Sequence, residues 1–326
     1  MATVYMIFTG GTITMKMENE HHSVVPALSA SDIMSSLLTS FNECNLKTIE
    51  YCQLPSPSIT PDIMLGISKL IDELSQQDDV TGFVVVHGTD VLEETAFFLD
   101  TVLETKKPVV VTGSMKSSSD LGYDGINNLV SSILVCLSKE AVGKGVLVVL
   151  NDQINAASEV TKTNTLSLDT FKSLDYGPLG IVDTHRVIFY RSVNYQRPIL
   201  HVQDIEENVH LVKVCSGMDD KILDYLIDTL DAKGIVLEAL GRGNVPPAML
   251  PGIRKAIAKH VPVIITSRCP SGRVLDTYGY EGGGKHLTTL GCIIAPNLNG
   301  QKARILLMIA LKKCNDIAQL KQIFGR

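Results

Sequence analysis

GFVVVHGTDVLEETAFFL, residues 82–99, is the stretch that decides the fold. Its first part, Phe83–Val86, is a short β-branched run and reads as a buried parallel strand. Its last part belongs to an amphipathic pattern from about Val91 to Glu104. Leu92, Ala96, Leu99 and Leu103 share one stripe there, as in a helix that covers a sheet. His87-Gly88-Thr89-Asp90 stands between the two as a turn from strand to helix.

Working outward, the same alternation repeats. Thr3–Phe8, Val109–Val111 and Val146–Leu150 read as further buried strands. One helix starts at Thr60-Pro61, with Thr60 as N-cap and Pro61 at the first helical position, and continues through Leu70 and Leu74. Another covers Ile126 to Lys139. Strand and helix in strict alternation imply a doubly wound, mostly parallel sheet with right-handed crossovers and helices on both faces. From about Val182 the pattern changes, and the stretch His185–Asn208, with Arg197-Pro198, carries polar residues and only short apolar runs. The expected α/β organisation is a larger domain over residues 1–190, a linker over 191–212, and a smaller α/β domain over 213–326. Strands are expected near Val209–Val214, Gly234–Leu240 and Val261–Thr266, and a final helix over Ala303–Lys313.

Composition narrows the function classes. The 326 residues include 45% hydrophobic and 20% charged side chains, the balance of a soluble globular protein. A net charge of −6 without a Lys/Arg block argues against nucleic-acid or anionic-membrane partners, which need clustered basic surface. No apolar run approaches the twenty or so residues of a membrane helix. Met1–Phe8 lack the basic and apolar regions of a secretory signal, so the expected compartment is the cytoplasm. The seven cysteines are scattered, odd in number and free of CxxC spacing, which fits free thiols better than disulfides or zinc. His21-His22, in a polar stretch without further ligands, reads as a loop. Neither metal nor cofactor is expected.

The chemistry gathers at the strand ends. Thr9-Gly10-Gly11-Thr12 follows the first strand, His87-Gly88-Thr89-Asp90 the second, and Thr112-Gly113-Ser114-Met115 the third. In a doubly wound sheet, ligands sit beyond the carboxyl ends of strands at the switch point, so these turns should converge on one cleft. Glycine allows close approach of backbone to ligand, and hydroxyls supply donors and nucleophiles. The first turn lacks GxGxxG and GxxxxGK[ST] spacing, which argues against a nucleotide cradle. Taken singly, a Gly-Gly pair is a tight turn, His87 a core histidine and Asp90 an N-cap. Three such turns at three strand ends make the stronger case.

FTGGTI (8–13) and residues 82–99 resemble the two signature segments of the bacterial-type L-asparaginase family. KPVVVTGSM (107–115), NDQINAASEVTKTNT (151–165) and LNGQKARILLMIAL (298–311) extend the resemblance over essentially the whole chain, in order. It implies a larger and a smaller α/β domain, and hydrolysis of asparagine to aspartate and ammonia through an acyl-enzyme. Thr12 then resembles the nucleophile, and Thr89, Lys162 and Asp90 resemble the family's relay. A threonine hydroxyl needs such activation, and a desolvated lysine can act as base. Gly11, Gly88 and Ser114 fall among the implied substrate contacts. Ser56 matches the family's carboxylate-binding serine, with Ser58 as the second alignment. Asn244 and Glu281 resemble residues that the family supplies from a neighbouring subunit, which implies a homodimer or homotetramer.

One departure stands out. Many relatives carry a tyrosine on the loop after the nucleophile, whereas residues 21–26 here are HHSVVP. Thr14 or Ser23 could substitute, or Val24 could simply pack a closed loop. Three alternatives accompany asparaginase activity: glutamine as substrate, an ammonia-donating amidotransferase subunit, and a non-enzymatic amino-acid sensor. The subunit reading expects a docking extension ahead of the first strand. A sensor needs only the binding groups, whereas this sequence retains Thr12, Thr89, Asp90 and Lys162 together.

Overall fold

Thr3 to Gly10 are all buried, and with Ala2 they form β1 (Ala2–Gly10), the strand around which the first sheet is organised. The computed structural model describes residues 1–18, 23–26, 33, 41, 44–194, 199–314 and 316–325, the side chains of 14–18 and 23–26 excepted. β1 pairs in parallel with β2 (Cys44–Leu54) on one side and β3 (Val80–Val86) on the other. β4 (Val109–Thr112) and β5 (Val146–Leu150) continue the parallel sheet. Three antiparallel strands extend it: β6 (Gln153–Ala156), β7 (Gly180–Asp183) and β8 (Arg186–Phe189). The order across the eight strands is β2-β1-β3-β4-β5-β6-β7-β8.

Helices cover both faces. Val4, Met6 and Phe8 of β1, with Val84 and Val86 of β3, bury against Leu129, Ile133 and Cys136 of α3 (Gly125–Leu137). The residues between them, Tyr5, Ile7, Phe83 and Val85, point to the opposite face because strand side chains alternate. There α1 (Pro61–Ser75) and α2 (Leu92–Val102) pack on each other and on the sheet. Thr60 caps α1 by accepting from Ile63 N, and Pro61 opens the helix, as its fixed φ and missing N–H favour. The chain runs from β1 outward to β2 and returns through α1 to β3, so the strand order reverses between β1 and β3. That is the switch point, and the carboxyl ends of both strands face one edge.

Contacts within the chain divide it into Met1–Asn194 and Tyr195–Arg326. The second unit holds a four-stranded parallel sheet, β9 (Val209–Lys213), β10 (Gly234–Ala239), β11 (Val263–Ser267) and β12 (Ile293–Ile294). Its core joins α4 (Lys221–Asp228) and α5 (Leu250–Ala258) to these strands. α6 (Gly284–Leu290) leads into β12, and α7 (Gly300–Ala310) packs on β9 and β10.

Several features differ from expectation. β2, the longest strand, sits at the edge and carries Asn45, Lys47, Glu50 and Gln53, so it has no buried apolar run to betray it. β8 lies inside the polar stretch from His185 that reads as linker. It is half-buried at the opposite edge, where one face suffices to hold it. β9 lies where a strand is expected near Val209–Val214, and so takes in the last residues of the 191–212 linker span. The helix expected over Ala303–Lys313 is α7, three residues earlier because Asn299 caps it by accepting from Lys302 N. It is not final: α8 (Ile317–Phe324) follows. Arg197-Pro198 and His21-His22 lie outside the described residues. Among those described, no helix is long and apolar enough to cross a membrane, and no acidic, His or Cys cluster could hold a metal.

Candidate active site

Backbone contact, not side chains, brings the turns together. Gly11 has φ +88°, and a Cβ placed on it would lie 2.3 Å from the Cα of Gly88 and 2.4 Å from its N. Only glycine fits that conformation and that approach. Likewise a Cβ on Gly113 would meet the His87 carbonyl at 2.3 Å. The residues just before Thr12 and Thr89 therefore touch, and both threonines leave the same point of the sheet edge.

The turn after β3 is locked through one carbonyl. His87 is fully buried, and its Nδ1 lies 2.6 Å from the Gly88 oxygen while Nε2 lies 3.0 Å from Thr95 Oγ1. A carbonyl only accepts, so Nδ1 carries the proton and Nε2 accepts from threonine. Burial pushes the His87 pKa down to about 4, which keeps the ring neutral near pH 7. Ser56 approaches from the β2 side, donating to the same Gly88 oxygen at 2.8 Å and accepting from Val91 N at 3.0 Å. Two donors on one carbonyl fix the Gly88–Thr89 peptide plane. In a trans peptide the Thr89 N–H then points the opposite way. Thr9 adds a tie from β1, its Oγ1 donating to Val86 O at 3.0 Å.

Thr89 is buried, and Lys162 reaches it from a small hairpin, Thr161–Lys162 paired with Phe171–Lys172. The hairpin is held by Thr163 Oγ1 on Thr170 O and by Asn164 Oδ1, which accepts from Leu166 N and Ser167 N. Lys162 Nζ donates to Thr89 Oγ1 at 3.0 Å and to Asp90 Oδ1 at 3.0 Å. The lysine side chain is only 18% exposed and the aspartate 58%, so the ion pair has a sheltered cation and an open anion. With Lys162 donating into it, the Thr89 hydroxyl is left to give its own proton elsewhere. The carboxylate keeps acceptor capacity for a cationic ligand.

The turn after β4 is rigid by a different route. Asp124 accepts from Met115 N and Lys116 N at 3.0 Å each, and Asn128 donates to Gly113 O at 2.9 Å. Ser114 is buried and donates to Lys116 O. Thr12, half-buried, opens a single 3₁₀ turn over Thr12–Thr14.

The structure thus gathers Gly11, Thr12, Ser56, Gly88, Thr89, Asp90, Ser114 and Lys162 at one sheet edge. Ser58 lies close in sequence but is exposed at the end of a short 3₁₀ turn. Asn244 and Glu281 belong to the second unit and neighbour each other there. Val245 N donates to Gly282 O at 2.9 Å, Asn244 Oδ1 accepts from Gly284 N at 3.3 Å, and Glu281 is exposed. His87 proves to be a buried brace for the turn. Thr95, Asp124 and Asn128 also shape the site, and none carries a sequence signal, because each acts through tertiary contact. The side chains of Thr14, Ser23 and Val24 lie outside the described residues.

Residues 3–195 match the family model described as Asparaginase, N-terminal, and residues 208–324 match the Glutaminase/Asparaginase C-terminal domain. A probable L-asparaginase of Deinococcus radiodurans is 34% identical over 322 residues, 98% of this chain and 96% of that one. The L-asparaginase of Bacillus licheniformis is 33% identical, covering 94% and 95%. The glutaminase-asparaginase of Pseudomonas fluorescens biotype A is 30% identical, covering 99% and 90%. A crystal structure of a probable cytoplasmic L-asparaginase from Campylobacter jejuni superposes with a TM-score of 0.90 at 28% identity, over 100% of both chains.

Proposed function

The chain belongs to the asparaginase family, and on that premise we propose that it hydrolyses the side-chain amide of L-asparagine to L-aspartate and ammonia. It is a hydrolase acting on an amide C–N bond. The observation that carries the reading is Lys162 Nζ donating at once to Thr89 and Asp90, beside the glycine contact that sets Thr12 and Thr89 at one point.

Thr12 Oγ1 is the nucleophile. It attacks the amide carbon, passes its proton into the Thr89–Lys162 relay as the C–O bond forms, and leaves a tetrahedral oxyanion. The Thr89 N–H, aimed away from the clamped Gly88 carbonyl, is placed to meet that oxyanion, as preorganised backbone donors do in acyl transfer. Collapse breaks the C–N bond, and ammonia departs with a proton relayed through Thr89 and Lys162. Thr89, again with Lys162, then activates water to cleave the Thr12 ester. Asp90, open on one side, takes the substrate's α-ammonium. Ser56 and Ser58 are the two candidates for its α-carboxylate: Ser56 would have to release Gly88 O, whereas Ser58 is already exposed. Gly11, Gly88 and Ser114 line the floor.

Asn244 and Glu281 complete each site from a neighbouring copy, so the active species is a homodimer or homotetramer, with no cofactor. The cytoplasm is its compartment, in keeping with the name of the Campylobacter jejuni structure. Glutamine is the second substrate reading, favoured by the glutaminase-asparaginases among the relatives. One methylene is worth only about 1–3 kcal/mol in a pocket. Initial rates of ammonia and aspartate or glutamate release decide the matter. A higher kcat/KM for asparagine is expected. A higher value for glutamine reassigns the substrate, and binding of asparagine without product makes the chain a sensor.

A further inference from the structure

We propose that Tyr123 is a positioning residue for Thr12, its phenol anchoring the single helical turn on which that threonine stands. This rests on the reading of Thr12 as nucleophile.

Thr12 is held from two sides. Upstream, Gly11 is pressed against Gly88. Downstream, Ile13 is fully buried in the core with Val4, Met6 and Phe8, and its carbonyl accepts a hydrogen bond from the Tyr123 hydroxyl at 2.9 Å. That bond spans 110 residues of sequence and joins the turn after β1 to the segment leading into α3. One 3₁₀ turn has poor internal hydrogen bonding and needs outside partners to keep one conformation. A partly buried donor on the carbonyl one residue beyond Thr12 supplies such a partner.

The phenol is itself well placed. Tyr123 N donates to Asp120 O at 3.2 Å, and the Asp124 carboxylate ties the same segment to Met115 N, Lys116 N and Asn128. A Cβ added to Gly125 would lie 2.2 Å from the Tyr123 hydroxyl and 2.4 Å from its Cζ, so the ring end occupies space that only glycine leaves open. Burial raises the phenol's pKa, so it stays a protonated donor across the working range. Tyr123 acts through Ile13, not on the reacting atoms. Its loss should slow chemistry more than it weakens binding.

Three variants test this, with kcat, KM and Tm measured for each. Tyr123→Phe removes only the hydroxyl. The expected result is a kcat lower by roughly 10- to 100-fold, the scale of a misplaced reacting group, with KM within about threefold of wild type. Gly125→Ala keeps the hydroxyl but takes its space at a helix start, where alanine is the better helix former, so kcat should fall while Tm does not drop in parallel. In the double variant the losses should not multiply, because both act through one contact. Wild-type kcat in Tyr123→Phe, or losses that multiply in the double variant, would overturn the inference. So would a kcat loss explained by the unfolded fraction at the assay temperature. Thr12→Val is the control: if it retains turnover, the nucleophile reading fails. If it is inactive while Tyr123→Phe is fully active, only the present inference fails.

Discussion

Replacing Ser56 with alanine removes one oxygen from the seam between the turns after β2 and β3. Ser56 is only 5% exposed, and its Oγ donates to Gly88 O at 2.8 Å and accepts from Val91 N at 3.0 Å. The two losses differ. Gly88 O keeps the His87 donor, so the first costs about 0.5–1.5 kcal/mol, the net worth of a single hydrogen bond. Val91 N–H loses its acceptor in a partly buried place, which costs about 1–2 kcal/mol, toward the lower end for an unsatisfied donor. Together the expected destabilisation is about 1.5–3.5 kcal/mol. A unit of this size loses roughly 2–4 °C per kcal/mol, so Tm should drop by about 3–14 °C. The chain has no tryptophan, so urea unfolding followed by far-UV circular dichroism, with calorimetry beside it, is the suitable assay. A change below about 0.5 kcal/mol would refute the claim that this hydroxyl braces the turn. Kinetics at a temperature where the variant is folded separate the second role. A raised KM adds a substrate-carboxylate contact, and an unchanged KM leaves Ser56 a strut alone.

The remaining expectations concern the cation, the buried histidine and the thiols. Lys162→Met removes the group shared by Thr89 and Asp90 and should lower kcat by about 10²–10⁴-fold, the range for a lost proton-transfer group, in steady-state assays of ammonia release. His87 has its folded pKa depressed to about 4 from 6.5, so between those values the unfolded chain binds a proton that the folded chain refuses. Stability is therefore fully present above pH 6.5 and falls as pH drops toward 4, by about 3 kcal/mol in all; His87→Gln should flatten that limb in unfolding measured against pH. Cys215 and Cys269 are exposed, whereas Cys136 and Cys292 are buried, with the Cys292 thiol pushed up to about 12. A thiol reagent should label the first two in the native protein and reach the second two only after unfolding.

What the sequence makes legible is governed by burial. Val84, Val85 and Val86 are sealed on both faces, so an apolar run announces β3, and the same holds for β4 and β5. β2 and β8 sit at the two sheet edges, half in solvent, and their mixed composition resembles a loop. The three glycine turns were visible because glycine and hydroxyl residues recur after each strand. Ser56 was visible as a candidate ligand but not as the brace of Gly88, because its partner lies 32 residues away. Tyr123 was not visible at all. Nothing near it in sequence indicates Ile13, and the bond exists only because the turn after β1 and the segment before α3 meet at the same edge. Lys162 occupies an intermediate position: its role came through resemblance, and the hairpin that delivers it to Thr89 has two-residue strands too short to read.

The central claim is that two threonines at one point of the sheet edge cleave an amide, Thr12 as nucleophile and Thr89 with its lysine. The most direct test is ammonia release from L-asparagine by Thr12→Val and Thr89→Val, each confirmed as folded by its melting temperature. Both single variants should fall below about 1% of wild-type kcat, in line with the loss of a nucleophile or a proton-transfer group. Near-wild-type turnover in both would contradict the account.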